Sequence, residues 1–217
     1  PSSGIPPDAE GRRASGIPEA QLGGSLPAEA ALGGIRDAGR HGRRDGDSKP
    51  VQLEDYAITA EDRLGRGGPK QKYRDNVAAI RILSELKDRP ATLQDQAVLV
   101  RYVGWGGLPQ AFPRPDGTVA KGWEAEAAEL KGLLSEDDYA SARSSTQDAH
   151  YTSETTIRGI YSVLKQFGVR SGKFLEPALG IGNFVGLVDK GMRSRSKFTG
   201  VEIEPTSAAI AKHLYPS

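Results

Sequence analysis

The chain of 217 residues contains no cysteine, which removes a disulfide framework, a thiol nucleophile and any cysteine-ligated metal from consideration. Its three histidines, His41, His150 and His213, show no metal-ligand spacing, so no metal site is expected. No apolar run approaches the roughly 18 residues of a spanning helix, and no signal-peptide core is visible, so neither membrane spanning nor export is indicated. A cytoplasmic location is the expectation. Net charge is nearly absent as well. The 29 basic and 28 acidic residues leave +1, too little for a global field that would gather DNA or a membrane surface. Aromatic residues make only 6% and hydrophobic residues 37%, so any core is modest.

What charge there is lies unevenly. Residues 151–217 carry 9 basic against 5 acidic residues, whereas 1–50 carry 7 of each and 51–150 carry 13 against 16. Arg193, Arg195 and Lys197 form the densest basic cluster of the last segment, read either as a solvated loop or as a contact for nucleic-acid phosphates. Residues 1–50 are dominated by Gly, Pro, Ala, Ser and Arg, with few β-branched or aromatic residues. Such a stretch cannot bury enough apolar surface to offset chain ordering, and a disordered linker is expected.

Residues 51–148 read as a small α-helical leader. Tyr73, Val77, Ile80, Leu83 and Leu86 recur at helical spacing, and Pro90 stops the pattern. Thr92 then caps a second helix with Asp95 at the capping-box position, and Leu93, Ala97 and Val100 are expected on its apolar face. Two further helices are expected over 123–133 and 135–144, the latter opened by Ser135. Between the pairs, Gly104-Trp105-Gly106-Gly107-Leu108-Pro109 breaks the helical pattern. It reads as a packed tryptophan in a loop, or as a nucleic-acid or interdomain contact.

The most informative stretch begins at Phe174. A strand over 173–175 ends in Glu176-Pro177, and a turn containing Gly180 and Gly182 feeds a helix from about Asn183. Glycines at such a turn let the chain bend sharply and let a ligand approach the backbone. A second strand over 197–202 ends in Glu202, about 20 residues on, where a parallel neighbour presents its carboxyl end beside the turn and the acid can accept from both hydroxyls of a ribose. Upstream, Ser153 caps a helix whose Ile157, Ile160, Tyr161 and Leu164 are expected to lie on the sheet. A last helix is expected over 206–214, with Glu204 facing solvent or capping it. The order strand, helix, strand, helix marks an α/β fold.

Glu176-Pro-x-x-Gly180-x-Gly182-x-Phe184, followed by Gly200-Val-Glu202-Ile203-Glu204, resembles the first two motifs of S-adenosylmethionine-dependent adenine DNA methyltransferases whose cofactor half precedes the catalytic half. His150-Tyr151-Thr152-Ser153 is similar to that family's cofactor-carboxylate motif, although Ser153 stands where the family has proline. The resemblance implies the start of a Rossmann-like methyltransferase sheet, truncated, over residues 149–217, with S-adenosylmethionine as cofactor. It implies that Thr152 meets the methionine carboxylate, while Tyr151 either packs on the cofactor or fills core. Glu176, with Pro177, anchors the glycine turn through backbone N–H groups and stands near the cationic end, Phe184 closes the pocket over Gly180 and Gly182, Glu202 holds the ribose and Ile203 stacks on adenine. Residues 58–150 further resemble the leader of very large phage and plasmid proteins that join a DNA methylase to a helicase, which implies an amino-terminal fragment with DNA and a helicase domain as partners.

The Asn/Asp-Pro-Pro-Tyr/Phe motif that holds a flipped adenine in this family is missing from these residues, so no catalytic residue is assigned and the fragment alone is expected to be inactive. Two rival readings stand beside this one. An NAD-dependent oxidoreductase would share the two glycines and the acid, although Gly186 falls one position late for Gly-x-Gly-x-x-Gly. A non-catalytic docking domain of a mobile-element DNA-processing protein would use the same fold without a cofactor.

Overall fold

The computed structural model describes residues 54–147 and 149–217. The linker expected over 1–50 lies outside the described residues. Four helices form the leader: α1 (Pro69–Glu85), α2 (Leu93–Leu99), α3 (Glu124–Leu133) and α4 (Glu136–Ser144). Then follow α5 (Glu154–Gln166), β1 (Lys173–Glu176), α6 (Asn183–Leu187), α7 (Lys190–Arg193), β2 (Lys197–Gly200) and α8 (Pro205–Leu214). The described residues are therefore mixed α/β and mostly helical, with one small parallel sheet. None of these helices is long and apolar enough to cross a membrane.

The leader follows its local signals closely. Pro69 starts α1 at a position where its missing N–H costs nothing, and Tyr73, Val77 and Ile80 are buried along one stripe. Thr92 and Asp95 form the full capping box of α2: Thr92 Oγ1 accepts from the Asp95 N–H at 3.2 Å, and Asp95 Oδ2 accepts from the Thr92 N–H at 2.8 Å. The face of α2 differs from expectation. Val100 is buried and Ala97 half-buried as expected, but Leu93 is 71% exposed, and Asp95, Gln96 and Leu99 also point inward. The reason is polar: Gln96 Nε2 donates to the His213 carbonyl at 2.8 Å, which satisfies a backbone acceptor near the end of α8.

Asp95 also receives the Arg89 guanidinium at 2.6 Å, which holds its carboxyl well below the usual carboxylate range. A depressed folded-state value contributes stability that is present above the unfolded value of about 3.9 and is lost as pH falls through the folded one. Asp95→Asn is expected to lower the melting temperature at neutral pH and to flatten its fall below about pH 4. An unchanged acid limb in thermal scans across pH would contradict this.

In the sheet, β1 and β2 pair parallel with Phe174 opposite Phe198, whose rings stack at 5.0 Å and 12°. The second strand ends at Gly200, two residues short of expectation, because the chain after β1 turns back over its end. The Val201 N–H donates to the Glu176 carbonyl at 2.9 Å, and the Val201 carbonyl accepts from Leu179 at 2.9 Å. Helix α5 also departs from expectation, since its main partner is α6 rather than the sheet. Tyr161 Oη donates to the Phe184 carbonyl at 2.7 Å, which turns Ile157 and Tyr161 inward and leaves Ile160 exposed.

The core crosses the boundary expected near residue 149. Tyr102, Trp105 and Leu130 of the leader share one buried cluster with Ile157, Ile210 and Leu214. Trp105 is 1% exposed and meets Tyr73 and Phe112 edge-on at 6.2 and 5.4 Å, so its loop is a packed one. The segment before α1 ties in as well, with Tyr56 N–H on the Leu214 carbonyl and Ile58 N–H on the Gly186 carbonyl.

Candidate functional site

β1 ends in Glu176, and Pro177 leads into the turn at Gly180 (φ +56°) and Gly182 (φ +88°), the latter serving as N-cap of α6. Both conformations lie in the left-handed region that favours glycine. Glu202, just past the end of β2, reaches this turn as its spacing implies. Its Oε2 accepts from the Gly180 N–H at 2.6 Å, and its Oε1 accepts from the Glu204 N–H at 2.7 Å. One carboxylate thus braces the glycine turn and the entry to α8. Glu204 is the side-chain cap of α8, accepting from Thr206 and Ser207 N–H groups at 3.0 and 2.6 Å.

The space left by the absent Cβ atoms is used differently from expectation. A Cβ on Gly180 would stand 2.9 Å from the Tyr151 ring, and one on Gly182 would overlap the Tyr215 ring. What approaches the backbone at these glycines is the protein's own aromatic side chains. Tyr151 is wedged on its other side against Gly104 of the leader, where a Cβ would stand 2.7 Å away. Its hydroxyl hydrogen-bonds Ser207 Oγ at 3.0 Å, so this one ring joins the leader loop, the glycine turn and the first turn of α8.

Beside the turn lies a cleft of about 540 Å³. Tyr151, Thr152, Gly180, Phe184, Glu202 and Ile203 all line it, whereas Glu176, Pro177 and Gly182 do not. Glu176 accepts from the Ala178 N–H at 3.3 Å and so braces the approach to the turn from outside the cleft. Ser153 caps α5 by accepting from the Thr156 N–H at 3.2 Å, and the exposed Thr152 hydroxyl makes no hydrogen bond among the described residues. Phe184 stands edge-on to Tyr161 at 6.3 Å, and Ile203 is 96% exposed at the rim.

Sequence reasoning missed the leader's share of this cleft. Tyr102, Gly104 and three serines at the end of α4, Ser141, Ser144 and Ser145, form its far wall. The signal for it was the set of glycines around Trp105, of which Gly104 meets Tyr151 and Gly106 lies against the Ala149 carbonyl, each where a Cβ would collide. The cleft's charged side chains are the carboxylates of Glu202 and Glu204; among the described residues no lysine or arginine lines it. Nor do these residues contain a group of three or more His, Asp or Glu placed to hold a metal ion.

The basic cluster does not act as a unit. Arg193 spends its guanidinium on the carbonyls of Asp55, Tyr56 and Val185, at 2.7 to 3.3 Å, and so fastens the segment before α1 to α6. Arg195 reaches the Arg170 carbonyl at 3.4 Å, and Lys197 is exposed. In comparisons with protein-family models, curated proteins and solved structures, nothing matched this chain.

Proposed function

We propose that the cleft binds S-adenosylmethionine and that the chain is the cofactor-binding portion of a methyltransferase. The observation that carries this reading is the pairing of Glu202 with the glycine turn in a cleft whose charged walls, among the described residues, are carboxylates. Such a wall favours a ligand with cationic groups and hydroxyl donors, which a sulfonium, an ammonium and a ribose diol supply. Each Glu202 oxygen accepts one N–H and retains a lone pair for a ribose hydroxyl. A dinucleotide fits less well. Its pyrophosphate would lie against two carboxylates, and the Gly180 N–H that a phosphate would seek already serves Glu202.

Within this reading Thr152 and the first amides of α5 meet the methionine carboxylate, Ile203 covers the adenine and Phe184 closes the side next to the turn. The bound cofactor supplies an activated methyl group, and the residues here bind and orient it. The more particular assignment is a DNA adenine-N6 methyltransferase within a larger methylase–helicase protein. It rests on Tyr151-Thr152, Glu176-Pro177 and Gly200-Val201-Glu202-Ile203-Glu204 in that order. Titration with labelled S-adenosylmethionine and with NADH tests the cofactor: saturable binding of the first is expected, and binding of NADH alone would overturn the reading.

A further inference from the structure

Four exposed cations gather where the two strands begin. The pairing of β1 with β2 sets Lys173 directly opposite Lys197, so both side chains leave the same face of the sheet from backbones about 5 Å apart. Just before the strands, Arg195 Nη2 donates to the Arg170 carbonyl at 3.4 Å, and the Gly172 N–H donates to Ser196 Oγ at 3.2 Å, which holds residues 170–173 beside 195–197. Arg170, Lys173, Arg195 and Lys197 are all exposed, and none forms an ion pair among the described residues. Arg193, by contrast, is spent on backbone carbonyls. The sequence explains the lack of partners. It has no Asp or Glu over 155–175 or over 190–201, the two stretches that the parallel pairing lays side by side. Asp189 stands just outside that gap, but its carboxylate is taken by Lys165 at 2.9 Å and by the Met192 N–H at 3.0 Å.

Like charges opposite one another on neighbouring strands weaken a sheet, and four cations without a carboxylate concentrate a positive potential that an external anion would relieve. A single carboxylate or phosphate offsets one of them. A chain of closely spaced phosphates meets all four at once and releases its condensed counterions in doing so. Lysine supplies point charges and arginine forked donors, both suited to phosphate oxygens. We propose that this patch is a contact surface for the phosphate backbone of duplex DNA. The choice of DNA rests on the proposed function above, in which DNA is the methyl acceptor. The patch lies at the amino ends of the strands and the cleft at their carboxyl ends, at least one strand length, about 10 Å, away. It therefore holds backbone away from the base to be methylated, without sequence preference and without competing for the cofactor.

Three proteins test the proposal: the 217-residue chain, a patch variant combining Arg170→Gln, Lys173→Gln, Arg195→Gln and Lys197→Gln, and a control combining Arg101→Gln, Lys121→Gln, Lys131→Gln and Arg143→Gln on exposed leader cations. Each is titrated into a labelled duplex of about 20 base pairs over a range of salt, beside thermal melting and calorimetric titration with S-adenosylmethionine. For the patch variant, DNA affinity at low salt should fall roughly tenfold or more, and the slope of log K against log salt should become shallower by about 3 to 4. Its melting temperature should equal or exceed that of the parent, and its S-adenosylmethionine affinity should be unchanged. The control should keep the parent's slope to within about 1. Equal losses in the patch and control variants would overturn the proposal by reducing the effect to net charge. It would also be overturned by a patch variant that melts several degrees lower, which would reveal structural partners for these cations, or by a parent that binds S-adenosylmethionine but not the duplex. Preference of the parent for phosphatidylserine vesicles over the duplex would overturn it as well. If the patch carries DNA binding while the parent fails to bind S-adenosylmethionine, the cofactor reading fails and the DNA contact stands.

Discussion

Glu202→Ala is expected to weaken S-adenosylmethionine binding roughly 10- to 100-fold, the range for losing hydrogen bonds to a charged acceptor. The side chain holds the Gly180 and Glu204 amides at 2.6 and 2.7 Å, and under the proposed function its remaining lone pairs meet the ribose, so the variant removes both. Bracing alone would show as a lower melting temperature with a small change in affinity, because Gly180 is also held by its left-handed turn and by the Tyr151 ring. The expected result is a larger loss in affinity than in stability. Calorimetric titration beside thermal melting separates the two, and unchanged affinity would refute the ribose role.

Trp105→Ala should cost about 3–5 kcal/mol of stability, the range for emptying a large buried aromatic site. Trp105 is 1% exposed and is enclosed by Tyr73, Phe112 and the rest of the shared cluster. Because that cluster also contains Ile157, Ile210 and Leu214, the loss should reach residues around the cleft as well as the leader. Urea unfolding followed by far-ultraviolet circular dichroism and by the fluorescence of Trp123 should give coincident transitions, both shifted to lower denaturant. A variant whose leader unfolds while ligand binding at the cleft persists would show that the two parts are independent.

Local devices were the legible part of this chain. The capping box of Thr92 and Asp95 and the N-caps Ser135 and Ser153 depend on residues within one helical turn, and each lies where its pattern places it. The meeting of Glu202 with Gly180 was legible too, since a parallel βαβ unit has few geometries and the spacing selects one. What could not be read depends on packing between distant segments. Leu93 points outward because Gln96 is needed at the end of α8, and α5 leans on α6 because Tyr161 finds the Phe184 carbonyl. Tyr102 and the α4 serines face the cleft through a tertiary arrangement that no short motif encodes. The glycines were recognised as places of close approach, but which ring approaches is a property of the folded core.

Tyr151, held between Gly104 and Gly180, restricts the order in which this region can change over time. A methyl group at either glycine collides with the ring, so neither can become alanine until Tyr151 has first become smaller. A smaller residue there would in turn release Ser207 and open the space that the ring fills. Three positions far apart in the chain thus depend on one another, and because Gly104 and Gly180 also hold left-handed backbone (φ +66° and +56°), shortening Tyr151 relieves only part of what alanine would cost at either.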